Sequence, residues 1–482
     1  MQRRKEGFIL AALVAVAAAF RFTRIGHQSF WLDESYTVDL VQRSFGHMLS
    51  GVASDESTPP LYYVLAWVWA KVFGLNEYGL RSLSALAGTL TVPAAYVAGA
   101  SLVTRRVGLV AAALAAFSPL LVWYSQEARS YALMVLLSGL GLLALLAARE
   151  RPTARNLALW AAASIAAIAT HYYAGFLVGV EALWLLAAAA ARLRALVAVA
   201  VVAAAGCALL PLAIHQRDHG GAAFIAQTSF ARRVAQIPKQ FLVGYHGPLE
   251  LTLTIVSLLL VAGAFTRLVL AADPPARRRA FTLAALAVAA LAATFVFAGA
   301  GPDYVLTRNE LATWLPLAAA TAAGFACVGP LRALGIAGAA VACALGLVVV
   351  VGVDANASYQ RDDWRGAARA LGAAAGQRVV YVSPPSGTLP LSLYLHPVRS
   401  MPPGGADVKE IDIVSISPRL PGQSAQPPRP GAVSFQGFTE SARTQGATYT
   451  VVRERSAALV RIGAQLITSP LDGRPAVPLW QP

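Results

Sequence analysis

Charged residues are scarce in this chain of 482 residues, since only 13% are Asp, Glu, Lys or Arg while 57% are hydrophobic. A soluble protein rarely hides that much apolar surface, so the composition excludes a typical soluble domain and predicts a polytopic membrane protein. The formal net charge is +15, but the basic residues occur as short clusters between apolar runs. That arrangement is the positive-inside pattern of membrane proteins and argues against a nucleic-acid partner.

The chain also lacks the sequence features of several kinds of chemical site. Its three cysteines, Cys207, Cys327 and Cys343, lie within apolar runs and have no closely spaced partner, which argues against a disulfide framework or a CxxC site. Without an HExxH motif, a histidine pair at helical spacing or a DxD triplet, a tightly held metal has little support, although a divalent metal bridged by carboxylates stays an alternative. No glycine-rich phosphate loop is present, which argues against nucleotide hydrolysis.

About eleven apolar runs are long enough to cross a membrane. They cover residues 7–25, 80–103, 107–123, 131–147, 157–171, 174–191, 195–214, 249–271, 281–300, 311–328 and 334–353. Short turns with Arg clusters follow every second run, so the positive-inside rule places the N-terminus in the cytoplasm and the residues after the last run outside. The basic start also fits a cleaved signal peptide. Near the end of the first run, Arg21 and Arg24 are expected to snorkel to the membrane interface.

The composition changes after the last apolar run, where Pro, Gly and charged residues become more frequent. Three strands are predicted there, at residues 378–383, 410–416 and 448–454. Asp362 or Asp363 is expected to cap a helix. The predicted fold is therefore an all-α polytopic membrane domain of about eleven transmembrane helices, residues 1–353, followed by a small extracytoplasmic α/β domain, residues 354–482.

Polar and aromatic residues collect at the predicted outer ends of the apolar runs. The ionisable candidates are Asp33, Glu34, Asp55, Glu56, Glu127, Arg129, His171, Asp303 and Arg308. A carboxylate at such an interface can take a proton from a hydroxyl or amine nucleophile, and a nearby Arg can bind a phosphate through two hydrogen bonds. Together these groups suit transfer of a sugar from a lipid phosphate whose tail stays in the bilayer.

Each of these residues also has a purely structural interpretation. The acidic pairs 33–34 and 55–56 can be solvated turns or helix caps. Glu127 can form an ion pair with Arg129, and His171 can be a hydrogen-bonded packing residue. A charged residue near membrane depth is nevertheless a functional candidate by default.

Four stretches resemble the GT-C class of membrane glycosyltransferases, namely FWLDESYTVD, STPPLYYVLAWVWAKVFGLNEYGLRSLSALAG, WYSQEARSYAL and THYYAGF. The resemblance is to the protein O-mannosyltransferase-like group, glycosyltransferase family 39, with its bacterial aminoarabinose and galacturonic acid transferase relatives. The W-x-D-E motif followed by P-P-L-Y-Y is its most specific part. Two departures are Thr58, where many relatives have a basic residue or His, and the absence of a lectin-like soluble domain.

The resemblance implies a polyprenyl-phosphate-sugar donor and inversion at the anomeric carbon. It implies that Asp33 is the catalytic base and that Glu34 is the second member of the motif. Candidates for binding the donor phosphate are Arg129, Arg81 and Arg308. Candidates for contacting the acceptor or supporting the site are Asp55, Glu56, Glu127, Tyr63 and His171.

The sequence thus predicts a plasma-membrane enzyme that moves a sugar from a polyprenyl-phosphate donor to an extracytoplasmic glycan, lipid or protein, in contact with membrane lipids. A transporter or flippase for a lipid-linked sugar is one alternative, but the middles of the apolar runs are nearly free of charge. A glycan polymerase or ligase is another, although the acidic loop here comes first in the chain. A structural membrane component, with Asp33 only in a turn, is the third.

Overall fold

The computed structural model describes residues 2–188, 192–218, 224–225, 228–329, 331–416 and 435–482. The chain divides into two compact units. The helical unit comprises Met1–Ile25 and Leu40–Val351, and the sheet unit comprises Gly26–Asp39 and Gly352–Pro482. A short segment near the start of the chain therefore belongs to the sheet unit, together with the C-terminal residues on which the sequence prediction was based.

Helices dominate the first 355 residues. The α-helices are α1 (Gln2–Phe22), α2 (Leu32–Gln42), α3 (Phe45–Asp55), α4 (Leu61–Phe73), α5 (Glu77–Leu102), α6 (Arg105–Phe117), α7 (Pro119–Ser125), α8 (Tyr131–Glu150), α9 (Ala154–Thr170), α10 (Ala174–Ala188), α11 (Arg192–Asp218), α12 (Phe230–Val243), α13 (Glu250–Ala271), α14 (Pro274–Gly299), α15 (Trp314–Ala326) and α16 (Arg332–Ala355). A 3-10 helix, Thr307–Thr313, precedes α15.

Six of the described helices are long and apolar enough to cross a membrane, namely α5, α8, α11, α13, α14 and α16. The bent pair α6 and α7 makes a seventh if it is counted as one span. The prediction of a membrane protein with several apolar helices is confirmed, whereas the count of eleven spans stays a prediction. The end of the predicted run 174–191 lies outside the described residues.

The predicted run 107–123 is not one straight helix, because α6 and α7 meet at an angle of 57°. Pro119 lacks the N–H that would donate to the carbonyl of Ala115 within a continuous helix. Ser118 caps α7 by accepting from the N–H of Leu121 at 3.3 Å. Arg21 Nη2 donates to the freed carbonyl of Ala115 at 3.0 Å. Arg21 is fully buried, so the expectation that it snorkels to the interface is wrong.

Small residues let α5 and α6 pack closely. A methyl group added at Gly99 would lie 2.9 Å from Gly108 Cα, and one added at Gly108 would lie 2.4 Å from the carbonyl oxygen of Tyr96. Side chains at either glycine would force the helices apart. Close approach through small residues is typical of helix pairs in membranes, where packing rather than hydrophobic burial drives association.

The sheet unit contains a mixed sheet and short helices. Its strands are β1 (Arg378–Ser383), β2 (Arg399–Ser400), β3 (Ala406–Ile416), β4 (Thr439–Gln445), β5 (Tyr449–Ile462), β6 (Ile467–Thr468) and β7 (Pro475–Gln481), and its α-helices are α17 (Trp364–Leu371) and α18 (Thr388–Ser392). The strand order is β2-β7-β1-β3-β5-β4, with β6 paired to β7. Strands β1 and β3 are parallel, and the other pairs are antiparallel.

The C-terminal sheet region confirms the strands expected from the sequence, and Asp363 caps α17 as one of the two expected residues. A buried carboxylate joins the three central strands. Asp412 on β3 is fully buried and accepts from Arg378 of β1 at 2.8 Å and from Arg453 of β5 at 2.9 Å. A buried charge with partners on both neighbouring strands fixes their pairing, because slipping either strand would leave it unpaired.

Candidate active site

The Asp33–Glu34 pair lies in the first turn of α2, within the sheet unit. Acidic residues suit this position because the helix N-terminus carries partial positive charge. The two residues differ in exposure, since Glu34 is fully buried whereas Asp33 is half-buried. Glu34 Oε2 accepts from the backbone N–H of Trp31 at 3.4 Å. Glu34 therefore has the capping role expected of a structural acid, and Asp33 is the more accessible of the two carboxylates.

The backbone just before α2 is held by residues from the C-terminal part of the sheet unit. Ser29 Oγ donates to the carbonyl of Asp362 at 2.8 Å, and the N–H of Phe30 donates to the hydroxyl of Tyr394 at 2.6 Å. Arg365 Nη2 donates to the carbonyl of Gly26 at 3.1 Å. These bonds bridge more than 330 residues of sequence, so the C-terminal residues fix the start of the helix that carries Asp33.

In the helical unit, Arg129 and Glu56 form a buried bidentate ion pair. Arg129 Nη1 lies 2.5 Å from Glu56 Oε1, and Nη2 lies 2.8 Å from Oε2. Glu56 follows α3 and does not cap α4, whose N-cap is Pro60. The interpretation of Glu56 as a cap of that helix is therefore wrong, whereas an ion pair between Glu127 and Arg129 stays a prediction. Glu127 is buried in the same turn, where its carbonyl accepts from the N–H of Arg129 at 2.8 Å.

The neighbouring acid, Asp55, has a different environment. It is exposed and forms a 3.2 Å ion pair with Arg43. Asp55 and Glu56 are adjacent at the end of α3, but the first side chain is exposed and the second is buried. Glu56 contacts the buried Arg129, whereas Asp55 lies at the surface.

Aromatic and amide side chains hold the segment that carries Glu56. The Tyr63 hydroxyl lies 3.1 Å from Thr58 Oγ1, and its ring lies 5.8 Å from the Arg129 guanidinium carbon. Gln216, near the end of α11, donates from Nε2 to the carbonyls of Thr58 at 3.1 Å and Val52 at 2.7 Å. Sequence reasoning missed Gln216. Its only signal was a polar residue at the end of an apolar run.

His171 and Arg308 meet at the ring of Tyr131. The Tyr131 and His171 rings are 5.7 Å apart, and the Arg308 guanidinium carbon lies 5.8 Å from the Tyr131 ring centre. His171 Nδ1 accepts from the N–H of Tyr173 at 3.3 Å, which leaves Nε2 to carry the proton of a neutral imidazole. Arg129 and Arg308 both lie close enough to His171 to act on it electrostatically. Two of the predicted phosphate ligands are thus brought together around His171.

Arg81, the third predicted phosphate ligand, is held by the end of the first helix. It is almost completely buried on α5, and its Nη1 donates to the carbonyl of Ile25 at 2.9 Å. Gln126 reaches the same helix end, donating from Nε2 to the carbonyl of Phe20 at 2.7 Å. These contacts give Arg81 and Gln126 a part in fixing where α1 ends.

Glu310 is a buried acid close to Arg308 in the chain, and sequence reasoning did not select it. It lies on the 3-10 helix Thr307–Thr313, two residues after Arg308, and is 2% exposed. Burial raises its pKa from 4.5 to about 8, although a hydrogen bond with Thr294 opposes the shift. The stretch GPDYVLTRNEL drew attention to Asp303 and Arg308 but gave no sign that Glu310 would be buried.

Asp303 forms an ion pair with Arg233 of α12, in which Arg233 Nη1 donates to Asp303 Oδ1 at 2.8 Å. This hydrogen bond holds the pKa of Asp303 below its usual value. Across the part of the chain that the structure describes, no group of three His, Cys, Asp or Glu side chains is placed to hold a metal ion.

Comparisons with known proteins give the class of enzyme. Residues 57–215 match the model of the dolichyl-phosphate-mannose-protein mannosyltransferase family. The crystal structure of ArnT from Cupriavidus metallidurans bound to undecaprenyl phosphate is similar over 92% of this chain and 97% of that chain, with 16% identity and a TM-score of 0.50. The chain is a glycosyltransferase, and its fold resembles that of the GT-C enzymes.

A second solved structure resembles this glycosyltransferase. Archaeal oligosaccharyltransferase AglB from Archaeoglobus fulgidus, in complex with an inhibitory peptide and a dolichol-phosphate, matches over 76% of this chain and 58% of its own, with 13% identity and a TM-score of 0.45. A comparison with curated proteins gives no match. The prediction of a membrane glycosyltransferase is confirmed, and the roles of individual residues stay predictions.

Proposed function

We propose that this glycosyltransferase moves a sugar from a polyprenyl-phosphate donor to an acceptor on the extracytoplasmic side of the plasma membrane, with Asp33 as the catalytic base. The observation that carries the proposal is the contrast within the acidic pair. Glu34 is fully buried and engaged at the helix N-terminus, whereas Asp33 keeps part of its surface accessible. A general base must reach the proton that it removes, and Asp33 satisfies that requirement.

In the proposed reaction, the Asp33 carboxylate takes the proton of an acceptor hydroxyl or amine as that group attacks the anomeric carbon. The new glycosidic bond forms while the bond between the sugar and the phosphate oxygen breaks. Its electron pair leaves with the polyprenyl phosphate, and the configuration at the anomeric carbon inverts. Phosphate is a good leaving group, so general-base assistance and orientation supply most of what the step requires.

Arg308 is our first choice for the contact to the donor phosphate. It is half-buried and lies against the ring of Tyr131, close to His171. Arg129 and Arg81 are buried, with 6% and 1% of their surface exposed, and contact Glu56 and the carbonyl of Ile25. We therefore assign Arg129 and Arg81 supporting roles that shape the donor site. The neutral His171 offers its Nε2 proton to a phosphate or sugar oxygen.

The proposed topology has the N-terminus in the cytoplasm and the C-terminal residues outside. It is supported by the short Arg-rich turns, which the positive-inside rule assigns to the cytoplasm. Protease added to intact cells should cleave within the sheet unit and leave the Arg-rich turns protected. Protection of the sheet unit would contradict this topology.

Replacing Asp33 tests the function directly. Asp33→Asn keeps the shape of the side chain but removes its basicity, so transfer of a labelled sugar from a polyprenyl phosphate should fall at least ~100-fold. Binding of the lipid donor should not change. The matched control is Asp407→Asn, because Asp407 is exposed and forms a 2.8 Å ion pair with the exposed Arg461.

The control variant should transfer sugar at the wild-type rate. If Asp33→Asn retains transfer, Asp33 is not the base. If purified protein instead moves the labelled lipid between leaflets without forming a glycosylated product, the transporter alternative replaces this proposal. Donor binding that disappears with Asp33→Asn would mean that the residue holds substrate and does not act as a base.

A further inference from the structure

One acidic side chain is buried among the apolar helices. Glu181 lies in α10, with 1% of its surface exposed. The indole N–H of Trp160, on α9, donates to its Oε2 at 3.0 Å. A carboxyl group inside an apolar region is costly unless hydrogen bonds replace those it loses from water. The contact with Trp160 satisfies one of its two oxygens.

The other oxygen of Glu181 and the hydroxyl of Ser164 have one property in common. Within the described ranges, Glu181 Oε1 has no hydrogen-bond partner, and neither has the hydroxyl of Ser164 on α9. Both side chains are 1% exposed, so bulk water does not reach them. A buried polar atom without a partner costs free energy comparable to a lost hydrogen bond. Because the Ser164 hydroxyl and the Glu181 carboxyl group both lie within 4.0 Å of one point beside Gly141, one small polar group there can contact both.

A glycine on the facing helix leaves room for that group. A methyl group added at Gly141 of α8 would lie 3.9 Å from Ser164 Oγ and 4.0 Å from Glu181 Oε2, with Ala163 Cβ also at 3.9 Å. At the tightly packed Gly108, an added methyl group would approach a backbone oxygen to 2.4 Å. The space beside Gly141 is therefore real, and polar atoms line part of it.

We propose that Glu181 and Ser164 hold a water molecule beside Gly141, in the space between α8, α9 and α10. Trp160 donates to Oε2, which leaves Oε1 to accept a hydrogen bond from the water. The Ser164 hydroxyl in turn donates to the water. Buried waters occur where a space the size of one molecule has two or more polar partners, and here two polar side chains border a position that an added methyl group would enter without a clash.

The site lies in helices whose ends carry part of the candidate active site. Helix α8 begins at Tyr131, and α9 ends at Thr170, next to His171. A hydrogen-bonded water between these helices stabilises their packing from within. The proposal is independent of the sugar-transfer chemistry, because Gly141, Ser164 and Glu181 have no assigned role in it.

Substitutions at Gly141 give opposite results for a hydrated and a dry site. Alanine normally stabilises a helix relative to glycine, because it has higher helix propensity. If the added methyl group expels a water, full-length Gly141→Ala in detergent should instead unfold at a lower temperature than the wild type. Gly141→Ser replaces the water by a hydroxyl that reaches Ser164 and Glu181, so it should recover the wild-type unfolding temperature.

Gly179→Ala is the matched control. Gly179 lies on α10, two residues from Glu181, and an added methyl group would contact nothing within 4 Å. This variant should unfold at or above the wild-type temperature. The proposal is overturned if Gly141→Ala is at least as stable as the wild type and Gly141→Ser is no more stable than Gly141→Ala.

A cryo-electron microscopy map of the wild-type protein provides a second test that does not depend on the folding of variants. Ordered density is expected between Ser164 Oγ and Glu181 Oε1. A map that resolves other buried waters but has no density at this position would overturn the proposal.

Discussion

The two units hold their candidate catalytic groups in different ways. In the sheet unit, the segment before Asp33 is fixed through its backbone, as when the N–H of Phe30 donates to the hydroxyl of Tyr394. In the helical unit, Arg129 is fixed through its side chain by the carboxylate of Glu56. The first arrangement uses several neutral hydrogen bonds, and the second includes a buried bidentate ion pair.

This difference predicts how each unit responds to mutation. Losing one of several neutral hydrogen bonds costs about 1 kcal/mol. Removing one partner of a buried ion pair costs about 3–5 kcal/mol, because the other charge is left buried without compensation. Single substitutions in the helical unit should therefore be severe, whereas those around the Asp33 segment should be graded.

The largest effect is expected at the Glu56–Arg129 pair. Glu56→Ala leaves the Arg129 guanidinium buried without its carboxylate, so the protein should lose about 3–5 kcal/mol of stability and most of its transfer activity. Arg129→Ala should cause a similar loss of stability and activity, because it leaves the Glu56 carboxylate buried without its guanidinium partner. Thermal unfolding in detergent and a donor-dependent transfer assay measure both effects.

The double variant Glu56→Ala with Arg129→Ala provides the control for this pair. It removes both charges, so it should be more stable than the sum of the two single losses predicts. Additive losses would mean that the two residues act through separate neighbours. In that case the contrast between the units would not rest on this ion pair.

Sequence reasoning located most of the helices because hydrophobic length is a local property. It selected the candidate site residues for the same reason, since polar and aromatic residues at the ends of apolar runs are visible in the sequence. It could not pair Glu56 with Arg129, because 73 residues separate them and several acids were equally plausible partners. Nor could it foresee that Arg21 would be buried, since that depends on how another helix breaks.

The sequence does contain a signal for the break between α6 and α7. The Ser118-Pro119 step is a common way to start a new helix, because Ser caps the N-terminus and Pro tolerates the first position. The sequence prediction nevertheless treated residues 107–123 as one run, because it used the hydropathy of the whole stretch and not the local Ser-Pro signal. The packing of Gly26–Asp39 with the C-terminal residues could not be predicted from the sequence, because it depends on contacts between residues more than 300 positions apart.

Glu310 is expected to make the stability of the helical unit depend on pH. Its pKa is about 8 in the folded protein and 4.5, the ordinary value for Glu, in the unfolded chain. At a pH between these two values, the folded protein therefore keeps a proton that the unfolded chain has released. Stability should therefore fall as the pH rises from about 5 to about 8. Glu310→Gln removes the titrating group and should flatten this part of the pH dependence of the unfolding temperature. Equal slopes in wild type and variant would show that Glu310 is charged in the folded state.

The smallest effect is expected at Tyr394, and it tests the sheet unit's side of the comparison. Tyr394→Phe removes the hydroxyl that accepts from the Phe30 N–H, while the Ser29 bond to the Asp362 carbonyl remains. The expected loss of stability is about 1 kcal/mol. Because the segment holds the start of α2, the turnover number should fall modestly while KM for the lipid donor stays unchanged. A loss of stability and activity as large as that of Glu56→Ala would mean that the Phe30–Tyr394 hydrogen bond alone positions Asp33. The two units would then respond to single substitutions in the same way.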